Sequence, residues 1–351
     1  MQFVHESLPQ RVLFESGGAA TGVASEVERL GARRVMVLAA PAEASIADQV
    51  TTGIPVVMRH DDVVMHVPTH VAEKAREAAL AAEADALVCV GGGSTTGLAK
   101  AVALSTRLPI VAVPTTYAGS EATAVWGLTQ GAVKKTGTDA VVLPRAVVYD
   151  ATLTLSLSVE MSIASGLNAL AHCIDSLWAP KADPINAAFA AEGVRALNTG
   201  LPQVADAPTG LAGREQTLYG AYLAAAAFAS AGSGLHHKIC HVLGGMYNLP
   251  HAQTHAVVLP QVVALNAPGD DDAERRLAAS FASESALAGL MALRNQVKAP
   301  GALRDFGLKA SQIADAVQAI LPVVPTTNPT PVTSENLTAL LRAAWEGSEP
   351  Q

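Results

Sequence analysis

The sequence predicts an α/β N-terminal domain followed by an all-α C-terminal domain. Three observations carry that expectation. Apolar strand-like runs alternate with helical stretches as far as Asp150, the pattern of a parallel sheet covered by helices. One of those runs leads straight into Gly91-Gly92-Gly93-Ser94 and a helix opens at once. From about Ser158 the strands stop and helical periodicity continues alone. The division falls at residues 1–155 and 156–351.

Composition agrees with two packed domains. The chain has 351 residues, of which 50% are hydrophobic and 15% charged, ample for a large core and too apolar for disorder. Aromatic residues are only 4%, so the core must be built from Ala, Val and Leu. The formal net charge is −8 and no basic block occurs, which argues against a nucleic-acid partner. No apolar run reaches membrane-spanning length without Gly, Pro or a charge, so no membrane partner is expected. Cys89, Cys173 and Cys240 are odd in number and widely spaced, and no secretory signal precedes them. They read as reduced, buried thiols of a cytoplasmic protein.

The elements follow in order. QRVLF, ending near residue 14, is a short strand; a turn at Ser16 to Ala19 leads to a helix as far as about Leu30. Arg34 to Ala39 is a strand, a further strand lies near Met58, and residues 69–83 form a helix. Ala86 to Val90 is a fully apolar strand that delivers the GGGS segment. Glycines let a backbone approach a ligand, and the unpaired N–H groups of a helix start favour an anion such as a pyrophosphate. Glycines also mark ordinary turns; it is the strand before and the helix after that select the phosphate reading. The next strand, Pro109 to Val113, ends in PTTYAGSE, whose small and hydroxylated residues suit a ligand lying across a sheet edge. Lys134 to Thr138 reads as a hairpin turn, and Ala146 to Tyr149 is the last strand.

The second half is expected to hold helices at 160–178 and 184–199, at Arg214 to Ala231 and at Ala256 to Leu265. Further helices run to about Trp345, the last two parted by a loop from Pro322 to Pro331. The stretch Gly234 to His255 holds five of the ten histidines. His237 and His241 are four apart and share a helical face; Gly244-Gly245 and then His251 follow. Imidazoles at this density can converge on a small volume. The plainer alternative is a polar helix edge with satisfied core histidines.

Four ordered motifs then resemble one family: VGGGS with its AK, PTTYAGSE, GLNALAHCID and HHKICHVLGGMYNLPH. Together, over nearly the whole chain, they are similar to the iron-containing (group III) alcohol dehydrogenases of the dehydroquinate synthase-like fold. Within it, Met65-His66-Val67-Pro68, GGGSTTGLAKA, Tyr117, Lys134 to Gly137 and Asn168 resemble members that reduce maleylacetate to 3-oxoadipate during breakdown of hydroxyquinol, resorcinol or chlorophenols. The resemblance implies an NADH- or NADPH-dependent oxidoreductase, commonly a homodimer, acting on a small dianionic substrate. It places the dinucleotide on Gly92, Gly93, Ser94, Thr115, Thr116 and Ser120, with Lys134 near the nicotinamide ribose. It places the reacting groups at His172, His237, His241 and His251, leaving His236 and His255 as bystanders. Which histidine delivers the proton stays open.

Three departures from the family pattern modify those expectations. The family's iron or zinc ligands map onto Asn168, His172, His237 and His251, with Asn where metal-dependent members carry Asp. An amide oxygen is a poorer ligand for a divalent ion than a carboxylate. Its neutrality leaves the pocket more electropositive, which suits a dianion and favours histidines acting without an obligatory metal. The second predicted strand ends Leu38-Ala39-Ala40-Pro41 with no carboxylate for the ribose, so NADPH is expected to be accepted beside NADH. Thr330 stands where relatives often have Arg. The alternatives are a metal-dependent alcohol dehydrogenase or aldehyde reductase acting on a small alcohol, a silent cofactor-binding protein, and a lyase of the same fold.

Overall fold

The computed structural model describes residues 2–130 and 133–350, and for residues 133 and 134 the backbone alone. The chain falls into two compact units: Leu8–Leu157, and Ser158 onward together with the first residues up to Ser7. His5 ties that N-terminal stretch to the helical unit, its Nδ1 lying 2.8 Å from Asp183 Oδ2.

The first unit alternates strand and helix. Its elements are β1 (Arg11–Phe14), α1 (Ala19–Arg29), β2 (Val35–Leu38), α2 (Ala44–Val50), β3 (Val56–His60), α3 (Thr69–Ala81), β4 (Ala86–Gly91), α4 (Gly93–Thr106), β5 (Ile110–Pro114), β6 (Val125–Gln130), β7 (Val133–Thr138) and β8 (Ala146–Tyr149). Six strands make one parallel sheet in the order β1-β8-β5-β4-β2-β3. The strands β2, β4, β5 and β8 are buried along their whole length, as continuous apolar runs must be when both faces are covered. Val23 and Val27 of α1 pack there with Val37, Val88, Val111 and Val148 of the sheet.

The order of strands places a switch point between β2 and β4. The chain leaves β2 outward to β3, and leaves β4 in the opposite direction to β5. Loops that diverge at the carboxyl ends of neighbouring strands open a crevice there.

Two local readings are corrected. Residues 134–138 are not a turn: they form strand β7, paired antiparallel with β6. Gly137 opposes Trp126, and a Cβ on Gly137 would come 2.6 Å from the indole, so the residue that looked like a turn former is a packing requirement. Helix α2 has no counterpart in the sequence reading. It is a seven-residue helix that follows a one-turn 3-10 segment, Pro41–Glu43.

The second unit is helical: α5 (Val159–Leu177), α6 (Pro184–Asp206), α7 (Leu211–Ala231), α8 (Leu235–Tyr247), α9 (His251–Asn266), α10 (Asp271–Phe281), α11 (Ala286–Gln296), α12 (Ile313–Ile320) and α13 (Ser334–Glu346). Ser158 starts α5 by accepting the Met161 N–H, and Asp183 starts α6 with a capping box. The α6 helix continues through Pro202, beyond the expected end at 199. The α9 helix begins at His251, earlier than Ala256, because Pro250 serves as its N-cap. A second core joins α8 and α9 to α12 and α13 through Leu235, Ile239, Val258, Val262, Ile320 and Leu341. Cys89, Cys173 and Cys240 are free and buried, as expected. The chain thus has the predicted fold class, an α/β unit with a parallel sheet and an all-helical unit.

Candidate active site

The α/β unit carries an anion cradle at the carboxyl ends of β4 and β5. Strand β4 ends at Gly91, whose φ of +150° and whose closeness to Thr95 Oγ1 both require glycine. Gly92 is the N-cap of α4 and makes no side-chain cap bond, so the first N–H groups of this 14-residue helix face outward without a side-chain acceptor from the cap. Register pairs Gly91 with Pro114, and the Thr115 N–H donates to Gly91 O at 3.2 Å. Thr116 lies against Gly92, where a Cβ would sit 3.0 Å from its methyl. Ser120 opens a 3-10 turn just beyond. Gly92, Gly93, Ser94, Thr115, Thr116 and Ser120 therefore gather at adjacent strand ends. The side chain of Lys134 lies outside the described residues.

Lys100 and Glu43 organise this cradle, and sequence reading missed both. Lys100, fully buried on α4, donates through Nζ to Ser120 O (2.7 Å), Thr123 O (2.8 Å), Thr123 Oγ1 (3.0 Å) and Val125 O (2.8 Å). Burial lowers its pKa to about 7, with the buried Glu121 carboxyl opposing that shift. Thr115 Oγ1 donates to Glu43 Oε1 at 3.0 Å.

The helical unit carries the histidine cluster. Asn168, His172 and Asp175 recur at helical spacing on α5, so they share one face. His236, His237 and His241 lie on α8, and His251 and His255 on α9. The imidazoles of His172 and His237 stack with centroids 4.8 Å apart and 9° between planes. His241 stands 5.9 Å from His237, His255 is 4.9 Å from His237, and His251 is 4.3 Å from His255. All four sequence-selected histidines thus belong to one cluster, with His241 and His251 exposed and His237 at its buried end. Phe228 of α7 covers both His172 (4.8 Å) and His237 (4.4 Å), an apolar wall not foreseen from sequence.

Asp175 holds the cluster in place. Its carboxylate accepts the backbone N–H groups of Gly234 (2.7 Å), His236 (3.0 Å) and His237 (3.5 Å), and His237 Nδ1 at 2.7 Å. It therefore caps α8 from a neighbouring helix, where an anion is favoured. Gly234 permits this: a Cβ there would come 2.5 Å from Asp175 Oδ1. Burial raises the Asp175 carboxyl above its ordinary range, while His236 and these N–H donors pull it down. Four donors aimed at one carboxylate mark the anion. Spacing alone did not set it apart, since an acid on a helix is ordinarily solvated.

Burial dominates the imidazoles. It pushes His172 down to about 3, helped by His251 and His241. It pushes His237 well below 6.5, helped by His172 and His241. The buried rings are neutral in this state, in contrast to imidazoles titrating near neutral pH. His236 Nε2 and His255 Nδ1 share a hydrogen bond of 2.9 Å, with Cys240 Sγ 3.7 Å from the former. Among the described residues these three can gather donor atoms within 4.8 Å. The short His–His hydrogen bond already accounts for that closeness.

The family's metal positions can be tested on this geometry. Asn168 Oδ1, His172 Nδ1 and His237 Nε2 are buried without a hydrogen-bond partner. Neutral imidazoles are competent ligands, but the anion that would balance a divalent ion is missing: Asn168 is an amide and Asp175 is committed to α8. The residues present do not match a carboxylate-balanced metal site. Thr330, at the position of the family Arg, donates its hydroxyl to Leu265 O at 2.7 Å and so ties a loop to the end of α9.

Comparison with known proteins gives a consistent picture. Residues 9–151 match the family model described as iron-containing alcohol dehydrogenase, and residues 162–345 match that of the Fe-containing alcohol dehydrogenase family, C-terminal. The chain is 41% identical over 353 residues to maleylacetate reductase of Pseudomonas sp. strain P51, covering 100% of both. The crystal structure of an iron-containing alcohol dehydrogenase from Corynebacterium glutamicum superposes with a TM-score of 0.99 at 61% identity, covering 100% of this chain and 98% of that one. That of maleylacetate reductase from Agrobacterium tumefaciens gives 0.95 at 40% identity, covering 100% of both.

Proposed function

The chain belongs to the iron-containing alcohol dehydrogenase family, and from that premise we propose that it reduces maleylacetate to 3-oxoadipate with NAD(P)H. The observation that carries the reading is the 41% identity to a maleylacetate reductase along the full length of both chains. Asn168 supports it: three family-position histidines beside an amide, with no free carboxylate among the described residues of the cluster, suit a dianion.

The reaction is a conjugate reduction. When bound, NAD(P)H would supply a hydride for the alkene carbon β to the ketone. The electron pair moves to the ketone oxygen as an enolate, and a proton then returns to the carbon between them. The residues assigned to this chemistry are His172, His237, His241 and His251. Their part is to bind the two carboxylates, to give the enolate hydrogen-bond donors and to deliver the proton. His237 is assigned the proton. Its Nδ1–H is fixed on Asp175, so Nε2 is the acceptor nitrogen of the neutral ring and becomes a donor on protonation. A dianion entering the cluster favours that protonation, and Asp175 balances the resulting imidazolium. Phe228 keeps water from this end of the cluster.

In the α/β unit, Gly92, Gly93 and Ser94 are assigned to the pyrophosphate, and Thr115, Thr116 and Ser120 to the rest of the dinucleotide. Lys134 is assigned to the nicotinamide ribose. Residues 1–155 are assigned as the dinucleotide-binding domain and 156–351 as the histidine domain. The protein is assigned as a cytoplasmic homodimer acting in the breakdown of hydroxyquinol-type aromatics.

The test is product analysis. Incubation with NADH and maleylacetate is expected to yield 3-oxoadipate with one NADH oxidised per molecule. Turnover of a small aldehyde with none of maleylacetate would replace this reading by the alcohol dehydrogenase one.

A further inference from the structure

From the ring of acceptors around one buried amine we infer that Lys100 is a positioning residue for the cofactor. As an ammonium it holds Ser120 and the root of the β6–β7 hairpin in the shape that takes the dinucleotide; as a free amine it releases them. This inference rests on the dinucleotide reading of the GGGS cradle. Lys100 closes the AK of the VGGGS motif and Glu121 closes PTTYAGSE, and neither has a part in the chemistry assigned above. Lys100 lies about two turns after Gly93 on α4, on the same side of the helix.

Three backbone carbonyls converge on its Nζ: those of Ser120 at 2.7 Å, Thr123 at 2.8 Å and Val125 at 2.8 Å. Thr123 Oγ1 is a fourth neighbour at 3.0 Å, but its hydrogen is directed to Ser120 O at 3.1 Å. Carbonyl oxygens only accept, and an ammonium brings three hydrogens. A free amine brings two and a lone pair, so one carbonyl would lose its donor. The segment from Ser120 to Val125 is thus bent around a positive charge. It carries the cofactor side of the cradle. Ser120 supplies a hydroxyl assigned to the dinucleotide. Val125 is the first residue of β6, and the Asp139 N–H donates to Ala124 O at 3.0 Å at the base of the hairpin. Strand β7, across that hairpin, bears Lys134.

The charge sits where an ordinary change of pH removes it. Lys100 is fully buried, and burial lowers its pKa to about 7. Two titratable groups face it. Glu121, on the 3-10 turn, opposes that shift; its own carboxyl is raised by burial and accepts the Tyr149 hydroxyl at 2.8 Å. Cys89 of β4 stays a thiol through the neutral range, pushed up to about 12 by burial. Strands β2, β5 and β6 and residues 140–142 bring no titratable side chain, and the buried residues of α3 are Val and Ala. The sign follows. The ammonium is complete below its pKa, and its hold on the segment is lost as pH rises through that value.

The experiment is a titration of NADH, without substrate, followed by nicotinamide fluorescence between about pH 6 and about pH 9. It is run on the wild-type protein, Lys100→Met and Glu121→Gln, with thermal unfolding to check that each is folded. The dissociation constant of wild type should rise by about tenfold or more across that range. Lys100→Met keeps the stem and removes the donors; it should bind weakly, with little change over the range. Glu121→Gln keeps an acceptor for Tyr149 and removes the carboxylate; it should move the midpoint of the rise to lower pH by about half a unit or more. A constant affinity in wild type overturns the inference whatever the variants do, and leaves the dinucleotide reading standing. The full rise in folded Lys100→Met, or an unmoved midpoint in folded Glu121→Gln, overturns it too. Failure of wild type to bind NADH at any pH overturns both.

Discussion

Asp175 on α5 and His237 on α8 form a buried carboxylate–imidazole pair, Oδ2 to Nδ1 at 2.7 Å, with side-chain exposures of 0% and 2%. The pair fixes the imidazole tautomer, joins two helices and stores the counter-charge for a proton. Asp175→Asn should preserve the shape and lose the charge. Turnover should drop by about a hundredfold or more, within the usual range of a positioned proton donor, with NADH affinity unchanged. Parallel steady-state kinetics and NADH titration would decide; unaltered turnover would reduce Asp175 to a helix cap.

His237→Ala removes the assigned proton carrier. The turnover number should fall by about 10²–10⁴-fold while thermal stability and cofactor binding persist. Glu192→Ala is the matched control. Glu192 and Arg195 are partly exposed partners at 2.7 Å, and the loss should stay within about 0.5 kcal/mol of stability with no change in rate. Near-wild-type turnover of His237→Ala would take His237 out of the chemistry.

Asn168→Asp restores the acid of the metal-dependent pattern. A carboxylate beside His172 should increase the divalent metal retained after dialysis. It should also repel the dianion, lowering kcat/KM for maleylacetate by about tenfold or more, since one unfavourable charge contact costs on the order of 1–4 kcal/mol. Metal analysis and kinetics on one preparation would test both halves. Higher metal content together with faster maleylacetate reduction would contradict the role given to Asn168.

Acid should destabilise the protein through its buried histidines. Burial holds His236, His237 and His255 well below 6.5, so they remain neutral in the fold and take up protons once unfolded. Their contribution is complete above pH 6.5 and is lost as pH falls below it, by up to about 1.4 kcal/mol per pH unit for each ring. The raised Asp175 carboxyl works in the opposite direction, but three rings outweigh one acid. Thermal unfolding should therefore show a falling Tm from pH 6.5 to 5. A constant Tm over that range would mean that the rings are charged in the folded state.

Local pattern explains what the sequence made legible. The buried strand before GGGS, the helix after it, and Asn168 and His172 four apart can all be read from periodicity and spacing. Asp175 could not be, because an acid on a helix reads as solvated until the partner helix that buries it is known. Residues 134–138 looked like a turn because Lys and Gly dominate them, and only Trp126 across the hairpin explains the glycine. His236 and His255 looked peripheral, yet they hydrogen-bond to each other under the cluster. Glu43 escaped notice because its carboxylate returns to the sheet edge through a 3-10 turn that carries no periodic signal.

The most direct measurement is NADH oxidation with maleylacetate, before and after exhaustive chelation and removal of the chelator. The account predicts rapid oxidation that survives chelation, because proton delivery and carboxylate binding rest on the histidines and Asp175. Oxidation abolished by the chelator and restored by iron or zinc would contradict the metal-independent site, and absence of oxidation in either condition would contradict the reductase itself.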